Sequence, residues 1–132
     1  MALVETVIAL ALLQLVYFCL RVGAARGKYN VPAPATTGHE VFERYYRVQM
    51  NTVELIIVLI PAIWLFGKYI SPFVAAGLGV LYLIGRFLYL RGYVADPKKR
   101  SIGFGLSFLP TLILLLGGLG GAIVAAVTTL ST

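Results

Sequence analysis

Four stretches of this chain run for about 20 residues or more with little or no charge, the length a helix needs to cross a hydrocarbon layer about 30 Å thick. They consume nearly the whole sequence. The composition agrees: 60% of the 132 residues are hydrophobic and 12% charged, where a soluble domain carries about 25% charged residues. A net charge of +6 does not point to nucleic acid, because the basic residues gather at the ends of apolar segments instead of forming one basic face. Inside lipid every backbone group needs a partner within its own segment, so apolar spans of this kind are helices. The expectation is an all-α integral membrane four-helix bundle with up-down topology, forming a single transmembrane domain over residues 1–132.

The expected spans are approximately 3–22, 41–66, 72–92 and 100–130. The first is interrupted only by Glu5 and Gln14 and ends near Arg21 and Arg26. No basic residue precedes it, Glu5 sits within it, and its run from Val7 to Leu20 is at the upper limit of length for a signal peptide, so it reads as a retained span. A loop from Gly27 to His39 follows, broken by Pro32, Pro34 and Gly38, with Thr36 or Thr37 as candidate caps for the next helix. The second span is polar as far as Glu54 and apolar from Leu55 to Phe66, with Pro61 as an expected kink. Gly67 to Ser71 reads as a tight turn, Pro72 as the first position of the third helix, and Asp96 to Lys99 as another turn. In the fourth span Pro110 is an expected bend, and Gly117, Gly118, Gly120 and Gly121 are expected close-packing positions. Cys19 reads as a small buried apolar filler. Basic residues crowd the connections after spans one and three, whereas the connection after span two holds only Lys68. This puts both chain ends outside the cytoplasm. The short chain without a retention tail favours a bacterial inner membrane.

Chemistry is concentrated in two stripes. Arg44, Arg47, Asn51 and Glu54 recur at spacings of three, four and three, which aligns them on one face of the second helix. Such a face cannot meet lipid, because a charge near the bilayer centre costs at least about 2.5 kcal/mol. It suits either a structural cluster, with Glu54 paired to an arginine such as Arg86, or a site. Tyr82, Arg86, Tyr89 and Tyr93 form a second stripe, three phenols beside a guanidinium. Arg100 stands where the fourth helix begins, next to free amides that attract anions. It is either an anchor with Lys98 and Lys99 or an anion-holding group. Arg26, Arg47, Asn51, Glu54, Tyr89, Tyr93 and Arg100 can converge at one depth, and that inventory suits a small zwitterion with several carboxylates and an amine. With one histidine and no phosphate loop, neither metal nor nucleotide chemistry is expected.

Two segments carry a family resemblance. FERYYRVQMNTVE (Phe42 to Glu54) has the pattern FER..R.Q.N..E, and RFLYLRGY (Arg86 to Tyr93) has R..Y..GY. The spacing onward to Arg100 and the loop PAPATTG (Pro32 to Gly38) are similar too. The chain thus resembles the membrane-associated proteins in eicosanoid and glutathione metabolism, the MAPEG family, over nearly its full length. The resemblance implies a homotrimer with glutathione as cosubstrate, held between neighbouring subunits near the cytoplasmic face. It implies glutathione contacts at Arg26, Arg47, Gln49, Asn51, Glu54, Tyr89 and Tyr93, with Arg86 joining the binding set and Arg100 stabilising the thiolate as the catalytic group. The implied activity is a glutathione S-transferase, with a peroxidase activity beside it, acting on a hydrophobic electrophile or lipid hydroperoxide dissolved in the membrane lipid. Leukotriene-forming members carry a tyrosine in place of Leu55 and an arginine in place of Gly27, so their substrate is not carried over. The alternatives are a non-catalytic scaffold of the same family or an isomerase of the prostaglandin-E-forming type, whose arginine-serine pair Arg100-Ser101 resembles.

Overall fold

The computed structural model describes residues 1–132 and consists of four long helices and one 3-10 turn. Helix α1 spans Ala2–Tyr29, α2 Glu40–Tyr69, α3 Pro72–Ala95 and α4 Ser101–Leu130, with the 3-10 turn at Pro97–Arg100 leading into α4. All four are long and apolar enough to cross a membrane, which makes the chain an integral multi-pass membrane protein.

The helices outlast the apolar segments that predict them, because hydropathy marks where lipid ends and not where the backbone stops coiling. Helix α1 continues past Val22 through Arg26 and Lys28. It stops at Asn30, whose left-handed backbone (φ 55, ψ 47) returns its N–H to the Arg26 carbonyl. The loop expected from Gly27 is therefore shorter. Neither Thr36 nor Thr37 caps α2. His39 does so: its Nδ1 accepts the Val41 N–H at 3.1 Å while its ring stacks on Tyr29 at 4.0 Å. Helix α2 runs unbroken through Pro61 and on through Gly67, so only Ile70 and Ser71 remain for the turn. Ser71 Oγ then accepts the Val74 N–H at 3.2 Å, with Pro72 as the first residue of α3.

Contacts between helix ends establish the up-down order. A Cβ at Gly67, late in α2, would lie 2.8 Å from Val4 in early α1, and Arg44, early in α2, donates to Val94, late in α3. Consecutive helices are therefore antiparallel. Gln14, buried in α1, donates Nε2 to the Leu83 carbonyl of α3 at 2.8 Å, a polar tie between helices of the kind that replaces the hydrophobic effect in lipid. Helices α3 and α4 approach most closely. A Cβ at Gly85 would sit 2.6 Å from the Ser107 amide nitrogen, and one at Gly103 would collide with the Tyr89 backbone. Three of the four expected glycines of α4 do pack: Gly117 and Gly118 against Phe66 and Gly121 against Tyr69. Gly120 has nothing within 4 Å and faces outward.

Val4, Val7, Ala11, Leu59, Ile63 and Leu114 centre the apolar core, yet only 31 of 132 residues are buried. The outward faces of α1, α3 and α4 are apolar, as a surface meeting lipid or another subunit requires. Cys19 lies on such a face. It is exposed and takes a 3.2 Å hydrogen bond from Gln49 Nε2, so the buried-filler reading is wrong.

Candidate active site

The polar stripe of α2 divides by role. Arg44 is structural: Nη1 donates to the Val94 carbonyl at 3.0 Å, and the side chain forms the single ion pair of the chain with Glu40. Asn51 donates Nδ2 to Tyr89 Oη at 2.7 Å, joining α2 to α3. Glu54, one turn deeper, is exposed and forms neither an ion pair nor a hydrogen bond, so the structural Glu54–Arg86 pair does not exist. The row on α3 divides as well. Tyr82 sinks into the core, whereas Tyr89 and Tyr93 stay together with ring centroids 5.6 Å apart. Arg86 is 1% exposed, its guanidinium stands 4.1 Å from the Tyr89 ring centroid, and its Nε and Nη2 have no partner.

Helix α4 supplies the third wall. Arg100 closes the 3-10 turn and caps α4 with no side-chain hydrogen bond to the first-turn amides. Ser101, Phe104 and Phe108 follow at spacings of three and four, and the two phenylalanine rings stack at 5.2 Å. These three walls line an open cavity of about 670 Å³. Asn51, Glu54, Arg86, Tyr89, Tyr93 and Arg100 contribute its polar lining; Leu55, Val58, Phe104 and Phe108 contribute the apolar one. The polarity is graded, with Arg100 and Tyr93 at the loop end and Val58 and Phe108 deepest. Sequence reasoning missed the apolar wall residue by residue, although Ser101, Phe104 and Phe108 obey the same helical spacing that exposed the other two stripes.

The remaining candidates stand apart within one subunit. Arg47 is exposed and lines a second cavity of about 510 Å³ with Arg44, Glu40, Glu43 and His39; Tyr93 borders both cavities, so the two adjoin. Arg26 donates to the Ala35 carbonyl at 2.6 Å, and its guanidinium lies over the Phe42 ring at 4.8 Å. It borders a small hollow at the α1–α2 loop, not the main cavity. Gln49 is two residues from Asn51, about 200° around the helix, and faces α1. The convergence of all seven expected residues therefore does not occur inside one protomer: Asn51, Glu54, Tyr89, Tyr93 and Arg100 meet, Arg47 adjoins, and Arg26 does not.

Residues 4–120 match the family model described as the MAPEG family. Human microsomal glutathione S-transferase 2 is 44% identical over 89% of this chain and 81% of its own length. An uncharacterized protein of Synechocystis is 47% identical over 84% of this chain and 81% of its own. Bovine leukotriene C4 synthase is 36% identical over 75% of this chain and 66% of its own.

Proposed function

Because the chain belongs to the MAPEG family, a family of glutathione-using membrane proteins, we propose that it is a glutathione S-transferase that conjugates lipophilic electrophiles within the bilayer. The observation that carries this reading is the graded cavity, which puts Arg100, Tyr93, Tyr89, Asn51 and Glu54 in one space with an apolar wall of α4. Glutathione brings two carboxylates, an amine and a thiol. Arg47 is a cation for the former, the unpaired Glu54 is a partner for the amine, and Asn51 and the two tyrosines donate or accept hydrogen bonds. Arg100, with the uncapped amides of α4 beside it, holds the sulfur as thiolate, since an adjacent positive charge lowers a thiol pKa. The apolar end receives an electrophile that partitions from lipid.

Arg26 and Gln49 enter this scheme through a second subunit. They lie on the α1 side of the protomer, away from the cavity, and a homotrimer that docks this side against the cavity of the next copy unites both groups in one site. The same reading has the site near the cytoplasmic face of a bacterial inner membrane, with both chain ends on the other side, and includes reduction of lipid hydroperoxides.

The test is Arg100→Ala in detergent. Conjugation of a lipophilic electrophile falls by about 100-fold or more, as for loss of one charge-stabilising donor, while calorimetry still detects glutathione binding; unchanged turnover refutes the role. A non-catalytic scaffold would give no ultraviolet thiolate absorbance on adding glutathione. An isomerase remains the second reading because Ser101 lines the cavity directly after Arg100. It requires Ser101→Ala to lose isomerisation of an endoperoxide while retaining glutathione binding.

A further inference from the structure

Two arginines outside the main cavity stand level on neighbouring helices. Gln14 of α1 donates to the Leu83 carbonyl of α3, and the Tyr17 and Phe87 rings lie 6.0 Å apart. The two helices run in the same direction. Continuing this register by one turn brings Arg21, four residues after Tyr17, level with Arg91, four residues after Phe87. Both arginines are exposed. Arg21 spends two of the five N–H donors of a guanidinium on neutral phenols, Tyr45 Oη at 2.8 Å and Tyr17 Oη at 3.4 Å. Arg91 forms no ion pair, since the chain's only one joins Arg44 to Glu40. No carboxylate is at hand for either: α1 carries only Glu5, at its far end, and α3 carries none.

Behind these cations the seam between α1 and α3 opens into a groove of about 470 Å³. Leu10, Leu13, Val16 and Leu20 line it from α1, and Leu83 and Phe87 from α3. From Leu10 to Leu20 the helix rises about 15 Å, half of a hydrocarbon layer about 30 Å thick. The groove therefore has the depth of one leaflet, with the arginines at its water end. None of its residues lines the main cavity. The trimer proposed above docks the side of α1 that carries Arg26 and, two turns before it, Cys19. Cys19 is two residues from Tyr17, about 200° around the helix, so that docking leaves the groove open to lipid.

The pairing of groove and cations selects the occupant. A free anion satisfies the arginines and leaves the apolar groove unused. A zwitterionic lipid fills the groove but brings its own cation to a level where neither helix offers a carboxylate. An anionic lipid meets both demands. We infer that the groove binds an anionic glycerophospholipid, with one acyl chain between α1 and α3 and the phosphate between Arg21 and Arg91. Guanidinium N–H groups donate to phosphate oxygens, basic pockets between transmembrane helices suit anionic headgroups, and Tyr17 and Tyr45 lie at the headgroup level where tyrosine is favoured.

The experiment is native mass spectrometry of the full-length protein released from detergent, titrated with phosphatidylglycerol or with phosphatidylcholine of identical acyl chains. Wild type binds one phosphatidylglycerol per protomer at least about 10-fold more tightly than phosphatidylcholine. Arg21→Gln combined with Arg91→Gln lowers the affinity for phosphatidylglycerol by about 25-fold, since each arginine contributes about fivefold, and abolishes the preference. Lys98→Gln combined with Lys99→Gln, which removes two cations from the same end of the bundle, keeps it. Leu13→Trp, which fills the groove, weakens both lipids several-fold. Equal affinity of wild type for the two lipids overturns the inference, and so does a preference that survives loss of both arginines or disappears equally with both lysines. Glycerol phosphate binding as tightly as the lipid would make the arginines a site for a free anion, and oleate binding more tightly than phosphatidylglycerol would make the groove a fatty-acid site; either result also overturns it. If the double arginine variant does not elute as a monodisperse species, the wild-type preference and its response to Leu13→Trp decide, and an unaltered affinity in Leu13→Trp puts the lipid elsewhere.

Discussion

Asn51, Glu54 and Arg100 are polar for different reasons, and their environments separate the roles. Asn51 is engaged with Tyr89 at 2.7 Å. Tyr89→Phe should cost less than about 1 kcal/mol of stability, the scale of interhelical hydrogen bonds in lipid, and should raise the Kd for glutathione several-fold by freeing the amide, as titration calorimetry would show. Glu54 has no partner to lose, so Glu54→Gln should leave thermal stability in detergent intact and act on glutathione affinity alone; a lowered melting temperature would mean that a structural partner exists. Arg100 acts on the nucleophile. A free thiol has a pKa of about 8.5, and a cation that favours the thiolate depresses it. The rising limb of kcat against pH should therefore lie below that value in wild type and move upward in Arg100→Ala. An identical limb in both would remove Arg100 from thiolate stabilisation.

At the scale of elements, the site depends on how closely α3 and α4 approach. Gly85 and Gly103 admit the neighbouring backbone where any Cβ would collide, and this contact sets Tyr89 and Tyr93 opposite Ser101 and Phe104. Gly103→Val should destabilise the bundle by about 1–3 kcal/mol, the usual cost of overpacking, and should open the cavity. The expected readout is a lower melting temperature together with weaker glutathione binding. Gly120→Ala, at a position with open space, should change neither. The sequence pattern led to Gly120 and its neighbours and passed over Gly85 and Gly103, because a cluster of glycines is visible in one dimension and a pair 18 positions apart is not. Helix ends were misjudged for a related reason. His39 caps α2 through its own ring nitrogen, a use that its residue type does not advertise.

At the scale of the whole molecule, the polar residues occupy two faces that one protomer cannot bring together. If a neighbouring subunit closes the site, Arg26→Ala and Arg100→Ala should each be inactive alone. Co-assembled in one symmetric oligomer, they should recover about a quarter of wild-type activity, because in a head-to-tail interface each subunit can supply the group its neighbour lacks. No recovery from mixed oligomers of verified composition would put Arg26 outside the site. Membrane class, the number of spans, their up-down order and the stripes Arg44–Glu54 and Tyr82–Tyr93 were all legible in the sequence, since hydropathy and helical period are properties of neighbours along the chain. Tertiary structure alone decided that Arg44 is spent on the Val94 carbonyl, that Glu54 stays unpaired, that Tyr82 leaves the row and that Arg86 faces a cavity with idle donors. A polar group's role depends on whether another helix satisfies it, and which helix arrives at which depth is set by packing across the bundle.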